Sequence, residues 1–81
     1  MSKPYIENKN IRLFSENTED FELVWHRDKE DRIIEPIHDS NWKFQLDNNI
    51  PKKISKTFVP KETYHRLIKG TGDLKLKVTK L

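Results

Sequence analysis

Apolar and polar residues alternate with a period of two along much of this chain. The clearest example is the segment LKLKVT at residues 74–79, and Trp42, Phe44 and Leu46 repeat the same spacing. Successive side chains of a β-strand point to opposite faces of a sheet, so this period predicts half-buried strands. No window shows the 3.6-residue spacing of an amphipathic helix, and the best helical segment, residues 17–21, is at most one turn.

Turn-forming residues separate these segments at intervals of roughly ten residues, a spacing typical of antiparallel barrels and sandwiches. The clearest turns are residues 47–49 (DNN) and 70–73 (GTGD). Pro36 and Pro60 belong at strand ends, bulges or edges, because proline has no backbone donor for a neighbouring strand. We therefore expect an all-β fold. Residues 1–20 are predicted to add an edge strand or a swapped arm to a barrel formed by residues 21–81.

The composition indicates a small core. The chain has 81 residues, of which 36% are charged and 33% apolar. A chain of this length buries only about 60–65% of its unfolded surface. The absence of cysteine excludes disulfides and thiolate metal sites. Because further stabilisation then comes most readily from association, we expect a homodimer.

No apolar run approaches the length of a membrane span, and the first ten residues, MSKPYIENKN, lack a signal-peptide core. We expect a cytoplasmic protein with no membrane partner.

Charge is distributed unevenly along the chain. Residues 1–51 hold seven Lys/Arg against eleven Asp/Glu, whereas residues 52–81 hold nine against two. Such asymmetry can mark a phosphate-binding face. Here the lysines alternate with apolar residues, without interleaved exposed aromatics or Gly-rich loops, which favours solvated strand faces over nucleic-acid binding.

The segment VWHRDKEDR, residues 24–32, carries the candidate chemistry. On a strand, His26 and Asp28 project to the same face, and His65 can approach them from a facing strand. Two imidazoles and one carboxylate on one side of an ion form a 2-His-1-carboxylate arrangement, which suits Fe(II) and similar ions. The alternative is that these residues form surface salt bridges around one hydrogen-bonded histidine.

Two short motifs indicate a family. His26 and Asp28 have the spacing of an H-x-H motif, and in the segment FVPKETYHRLIKG, residues 58–70, Pro60 precedes His65 by five positions. This pair resembles the two motifs of the cupin superfamily. The sequence pattern around these residues is also similar to that of small uncharacterised cupins encoded by tailed phages.

The resemblance covers residues 24–69 and implies a small antiparallel double-stranded β-helix barrel. It also implies a divalent ion (Fe, Mn, Ni or Zn) held by His26, Asp28 and His65, with a small anionic ligand in the barrel. Open coordination positions would support oxygen, isomerase or lyase chemistry. The same ligand pattern holds iron in 2-oxoglutarate oxygenases, which resemble this chain in the ligands alone. The residues leave open whether a reaction is catalysed at all.

The chain departs from the cupin pattern at one important position. Arg32 stands where cupins have a ligating glutamate, and a guanidinium cannot bind a metal ion. It is expected to form a bidentate pair with Asp28, or to bind the carboxylate or phosphate of a ligand. Asp31 is an alternative acid of opposite strand parity.

The remaining departures, where cupins have glycine or asparagine, are at Asp39, Ile54, Glu62 and Lys69. The alternative function is therefore a metal-free, non-catalytic binding or structural module of phage origin.

Four other residues are predicted to lie outside the site. His38 falls in a polar turn and is expected to be exposed. Trp25 and Trp42 are expected in the core or in a dimer interface rather than as the lining of a binding pocket. Tyr64 has the opposite parity to His65, so it is expected in an interface or packed on the outer face.

Overall fold

The computed structural model describes residues 4–81, which form two antiparallel β-sheets and one turn of 3-10 helix at Asp20–Glu22. The strands are β1 (Ile6–Asn8), β2 (Ile11–Phe14), β3 (Arg32–Pro36), β4 (Lys43–Leu46), β5 (Lys52–Lys53), β6 (Thr57–Val59), β7 (His65–Ile68) and β8 (Leu74–Lys80).

The predicted all-β class is confirmed. Closure into a double-stranded β-helix barrel and association into a dimer stay predictions. Within residues 4–81, no helix has the length and apolarity needed to cross a membrane.

The larger sheet has the strand order β1-β2-β8-β3-β6 and the smaller sheet the order β5-β4-β7. Strand β8 lies at the centre of the larger sheet and pairs with β2 on one side and β3 on the other. Its alternation follows the sequence prediction, because Leu74, Leu76 and Val78 are buried while Lys75 and Lys77 are exposed. The face that carries the buried residues is the inner face of this sheet.

The core consists of ten buried apolar side chains contributed by both sheets and the loops between them. They are Phe14, Leu23, Ile34, Trp42, Phe44, Ile54, Val59, Leu74, Leu76 and Val78. The Trp42 side chain is fully buried, and its Nε1 donates a hydrogen bond of 2.9 Å to the carbonyl oxygen of Gly72. Gly72 adopts a positive φ of 75°, which glycine tolerates without strain. The 70–73 turn is thereby fastened to the core.

Residues 6–14 form a hairpin, with β1 at the edge of the larger sheet and β2 between β1 and β8. Arg12 and Phe14 of β2 point inward, whereas Ile11 and Leu13 point outward beside the lysines of β8. The inner faces of the two sheets therefore meet around an interior space that also receives a charged side chain.

Candidate metal centre

Two of the predicted ligands, His26 and His65, face each other across a backbone bridge. The amide of each donates to the carbonyl of the other, at 3.0 Å and 2.9 Å. Their rings lie edge to face with centroids 4.3 Å apart. His65 is the first residue of β7 and is buried, whereas His26 is more exposed and forms only this isolated bridge. The facing arrangement of the imidazoles is thus set by main-chain pairing.

Asp28 completes the group two residues after His26. Its carboxylate Oδ2 lies 3.3 Å from Nε2 of His65, and one ligand atom from each of the three residues lies within 4.8 Å of the others. Ligands about 2.1 Å from an ion and adjacent to each other lie about 3.0–3.4 Å apart. The His65–Asp28 separation matches this value, and the three side chains form a group that could hold one metal ion.

Hydrogen bonds to main-chain carbonyls fix the tautomers of both imidazoles. Nδ1 of His65 lies 2.8 Å from the carbonyl oxygen of Thr63, and Nδ1 of His26 lies 3.1 Å from that of Val24. A carbonyl oxygen can only accept, so each Nδ1 carries a hydrogen. In the neutral imidazoles the lone pair then lies on Nε2, and a carbonyl acceptor behind the ring is the usual support of a metal-binding histidine.

The environment of His65 favours its neutral form. Burial lowers the pKa of His65 below its usual value, and His26 and Arg32 add to this effect. The Thr63 carbonyl and the Asp28 carboxylate act in the opposite direction without reversing it. A neutral His65 presents the Nε2 lone pair to the Asp28 carboxylate, so two electron-pair donors face each other at 3.3 Å. A cation between them would satisfy both.

Arg32 lies beside this group but binds mainly to Glu30. Its Nε and Nη2 donate to Oε1 of Glu30 at 2.9 Å and 2.6 Å, while Nη1 lies 3.4 Å from Oδ1 of Asp28. The bidentate pair predicted with Asp28 is thus not formed: Arg32 has one contact with Asp28 and donates two hydrogen bonds to a single oxygen of Glu30, whose pKa the guanidinium lowers. The alternative acid Asp31 is used elsewhere, since its side chain accepts a hydrogen bond from the amide of Lys61.

A cavity of about 360 Å³ adjoins the three candidate ligands and separates the inner faces of the two sheets. Its walls are mostly apolar, with Leu23, Ile34, Phe44, Val59, Leu67, Leu76 and Val78 among them. Its polar wall residues are Arg12, Glu22, His26, Asp28, Arg32 and His65. Pockets that bind small molecules commonly combine an apolar lining with a few polar groups.

Arg12 and Glu30 are two residues near the site that the sequence did not indicate. Arg12 lines the cavity, donates to Glu7 at 3.0 Å and lies 4.5 Å from the ring centre of Tyr5. Arg12 is the one charged residue of the otherwise apolar strand IRLF, and this could have indicated a polar position inside the fold. Glu30 left no such signal, because it lies on an irregular bend where strand parity does not apply.

The structure places His38 away from the group and exposed, as the sequence predicted. Its Nδ1 lies 2.7 Å from the Asp39 carbonyl, and its Nε2 accepts a hydrogen bond from the amide of Lys75. Trp42 is a core residue, whereas Trp25 is partly exposed on the outer face. Tyr64 is also exposed there, in agreement with its parity.

Comparison of the chain with protein-family models, with curated proteins and with solved structures gives no match. The resemblance to cupins therefore stays a prediction.

Proposed function

We propose that this chain is a cupin-like protein that binds a divalent metal ion through His26, Asp28 and His65, and a small molecule in the adjoining cavity. The observation that carries the proposal is the His65–Asp28 contact. A neutral imidazole with its hydrogen on Nδ1 faces a carboxylate at 3.3 Å. The Nε2 lone pair and the carboxylate repel each other, and a metal ion bound to both would remove this repulsion.

The donor set suits Fe(II), Mn(II), Ni(II) or Zn(II), which accept imidazole nitrogen and carboxylate oxygen. Three protein ligands leave coordination positions for water or a substrate. When bound, such an ion supplies Lewis-acid polarisation or redox chemistry. The protein's own contribution is to hold the two Nε2 atoms and Oδ2 in place, to keep His65 neutral by burial, and to restrict water through the apolar walls.

The cavity also indicates what kind of molecule binds. Its apolar walls favour a ligand with a hydrophobic body, and the ion favours an anionic group at one end. Arg32 lines the same cavity and contacts both Asp28 and Glu30. We assign Arg32 to the anionic group of the ligand, whose carboxylate or phosphate would exchange with Glu30 on the guanidinium.

The polar network itself favours a second candidate, a metal-free binding module. The described side chains contain no buried nitrogen or oxygen that lacks a hydrogen-bond partner. The Arg32–Asp28 contact also supplies positive charge near the carboxylate. On this alternative the same cavity binds its ligand without an ion.

A thermal-shift series separates the two candidates. Protein purified without a nickel column and stripped with a chelator is melted alone and with each of the four ions. An ion at one hundred times its Kd adds about 2.7 kcal/mol to the free energy of unfolding, which raises Tm by about 10–20 °C in a domain of this size. We expect such a rise with at least one ion.

His26→Gln and His65→Gln are each expected to abolish the shift, because each removes one ligand. His38→Gln is the matched control, since it removes a histidine outside the group, and it should keep the shift. No rise with any ion, or an equal loss in the His38 variant, would support the metal-free module.

A further inference from the structure

The outer face of the smaller sheet carries alternating arginine and aromatic side chains. His26 and His65 pair directly and point inward, so their sequence neighbours point outward: Trp25 and Arg27 on one segment, Tyr64 and Arg66 on the other. In an antiparallel pair the residues before and after a bridge face each other crosswise. Trp25 therefore lies opposite Arg66, and Arg27 lies opposite Tyr64.

Side-chain contacts follow this register. The Arg66 guanidinium lies 4.8 Å from the ring centre of Trp25, and the Arg27 guanidinium lies 5.3 Å from that of Tyr64. Nε of Arg66 also donates to Gln45 Oε1 at 2.9 Å, which orients the guanidinium over the sheet. The rings remain accessible, because Trp25 is 39% and Tyr64 43% exposed. The result is a surface of two aromatic rings, each flanked by an arginine.

The charge of this face is positive. The outward positions of β4 and β5 add Lys43 and Lys53 to the two arginines. Its cations are Arg27, Lys43, Lys53 and Arg66, and the acids beside them are Asp39, Asp47 and Glu62, which leaves one net positive charge. The ion pairs are exposed and loose: Arg27–Glu62 at 3.3 Å and Lys53–Asp39 at 3.9 Å. Exposed pairs of this kind contribute little to stability, so phosphates can replace the acids at small cost.

We propose that this arginine–aromatic face binds single-stranded nucleic acid, with bases stacked on Trp25 and Tyr64 and phosphates paired with Arg27 and Arg66. Stacking on exposed aromatic rings within a positive surface is the usual mode of sequence-tolerant single-strand binding. The sequence disfavoured nucleic acid because the lysine-rich half lacks interleaved exposed aromatics. The structure exposes Tyr64 of that half and, through the bridge between residues 26 and 65, places Trp25 from the first half of the chain next to it.

A second copy of the chain fits this face less well. Two such faces brought together would place like charges against each other, whereas a polyanion is complementary to them. The outer face of the larger sheet offers the more apolar surface for self-association, because Phe58, beside Ile33 at one edge, is 51% exposed and Ile6 at the other edge is 72% exposed. Charge therefore favours nucleic acid over a second copy here.

Fluorescence anisotropy of a labelled oligothymidylate of about 12 nucleotides tests the proposal with the full chain. We expect saturable binding that weakens with salt. Because Trp42 is 0% exposed, quenching of tryptophan fluorescence on binding would report stacking on Trp25. Trp25→Ala and Tyr64→Ala are each expected to raise Kd by about 5- to 150-fold. Trp25→Phe, which keeps a ring, should retain most of the affinity.

The matched controls lie on the other sheet. Phe58→Ala removes an aromatic that is 51% exposed, more than Trp25 or Tyr64, and Lys77→Gln removes an exposed cation; both should leave binding unchanged. Arg66→Gln should reduce the slope of log Kd against log salt by about one. The proposal is overturned if the oligonucleotide does not bind at low salt or if Phe58→Ala weakens binding as much as Trp25→Ala. It is also overturned if sedimentation shows a dimer that Trp25→Ala dissociates, which would assign the face to a second copy.

Discussion

At the residue scale, the candidate site depends on which atoms of His26, Asp28 and His65 are free to bind a metal ion. Carbonyls of Val24 and Thr63 contact Nδ1 of the two histidines, which leaves Nε2 of each available to the proposed metal ion. Strand parity was enough to predict from sequence that His26 and Asp28 share a face. It could not predict that Arg32 binds Glu30, because residues 29–31 form a bend with no fixed period.

Burial of His65 makes the stability of the metal-free protein depend on pH. Since the folded state lowers the pKa of His65, the unfolded chain binds more protons as pH falls through about 6.5. The contribution of His65 to the free energy of unfolding is therefore complete above that pH and is lost as the solution becomes more acidic. Denaturant melts of chelator-treated protein between about pH 7 and pH 5 should show this decline.

His65→Gln is the control for this pH dependence, because glutamine does not titrate. The variant should have a shallower decline of unfolding free energy over the same range. Equal slopes in the two proteins, or a wild-type protein that becomes more stable on acidification, would contradict the assignment of a neutral buried imidazole.

At the element scale, regular alternation was a good guide and irregular segments were not. Strands β4 and β8 follow the predicted alternation. Strand β2, with the sequence IRLF, gave no clear alternation because its outward residues Ile11 and Leu13 are also apolar. The segment from Leu23 to Asp28 reads as a continuing strand, yet within it only His26 forms a β-bridge. The segment is placed beside β7 by the long-range bridge between His26 and His65, and local sequence patterns do not predict such a bridge.

At the scale of the whole molecule, the predicted homodimer has a suitable surface on the larger sheet. The outward residues of β1, β2, β3 and β6 include Ile6, Ile11, Leu13, Ile33 and Phe58, on either side of the lysines of β8. A strand exposed to water on one face normally carries polar residues there. Apolar residues at these outward positions are what the predicted homodimer requires.

Sedimentation equilibrium tests this assignment. One copy of the chain has a mass of 9.8 kDa, and the wild-type protein should sediment with twice that mass. Phe58→Lys, which places a charge among the apolar residues of the proposed contact, should shift the protein toward the monomer. Tyr64→Lys is the matched control on the opposite sheet and should leave the dimer intact. A wild-type monomer at high concentration would end the dimer prediction.

The central claim is that His26, Asp28 and His65 jointly bind one divalent ion. X-ray absorption spectroscopy of protein loaded with one equivalent of Zn(II) tests it most directly, because the spectrum reports the ligands themselves. We expect two imidazole nitrogens at about 2.0–2.1 Å and a carboxylate oxygen at about 2.0–2.2 Å, with one imidazole lost in His65→Gln. A spectrum without imidazole scattering, or one that His65→Gln leaves unchanged, would contradict the claim.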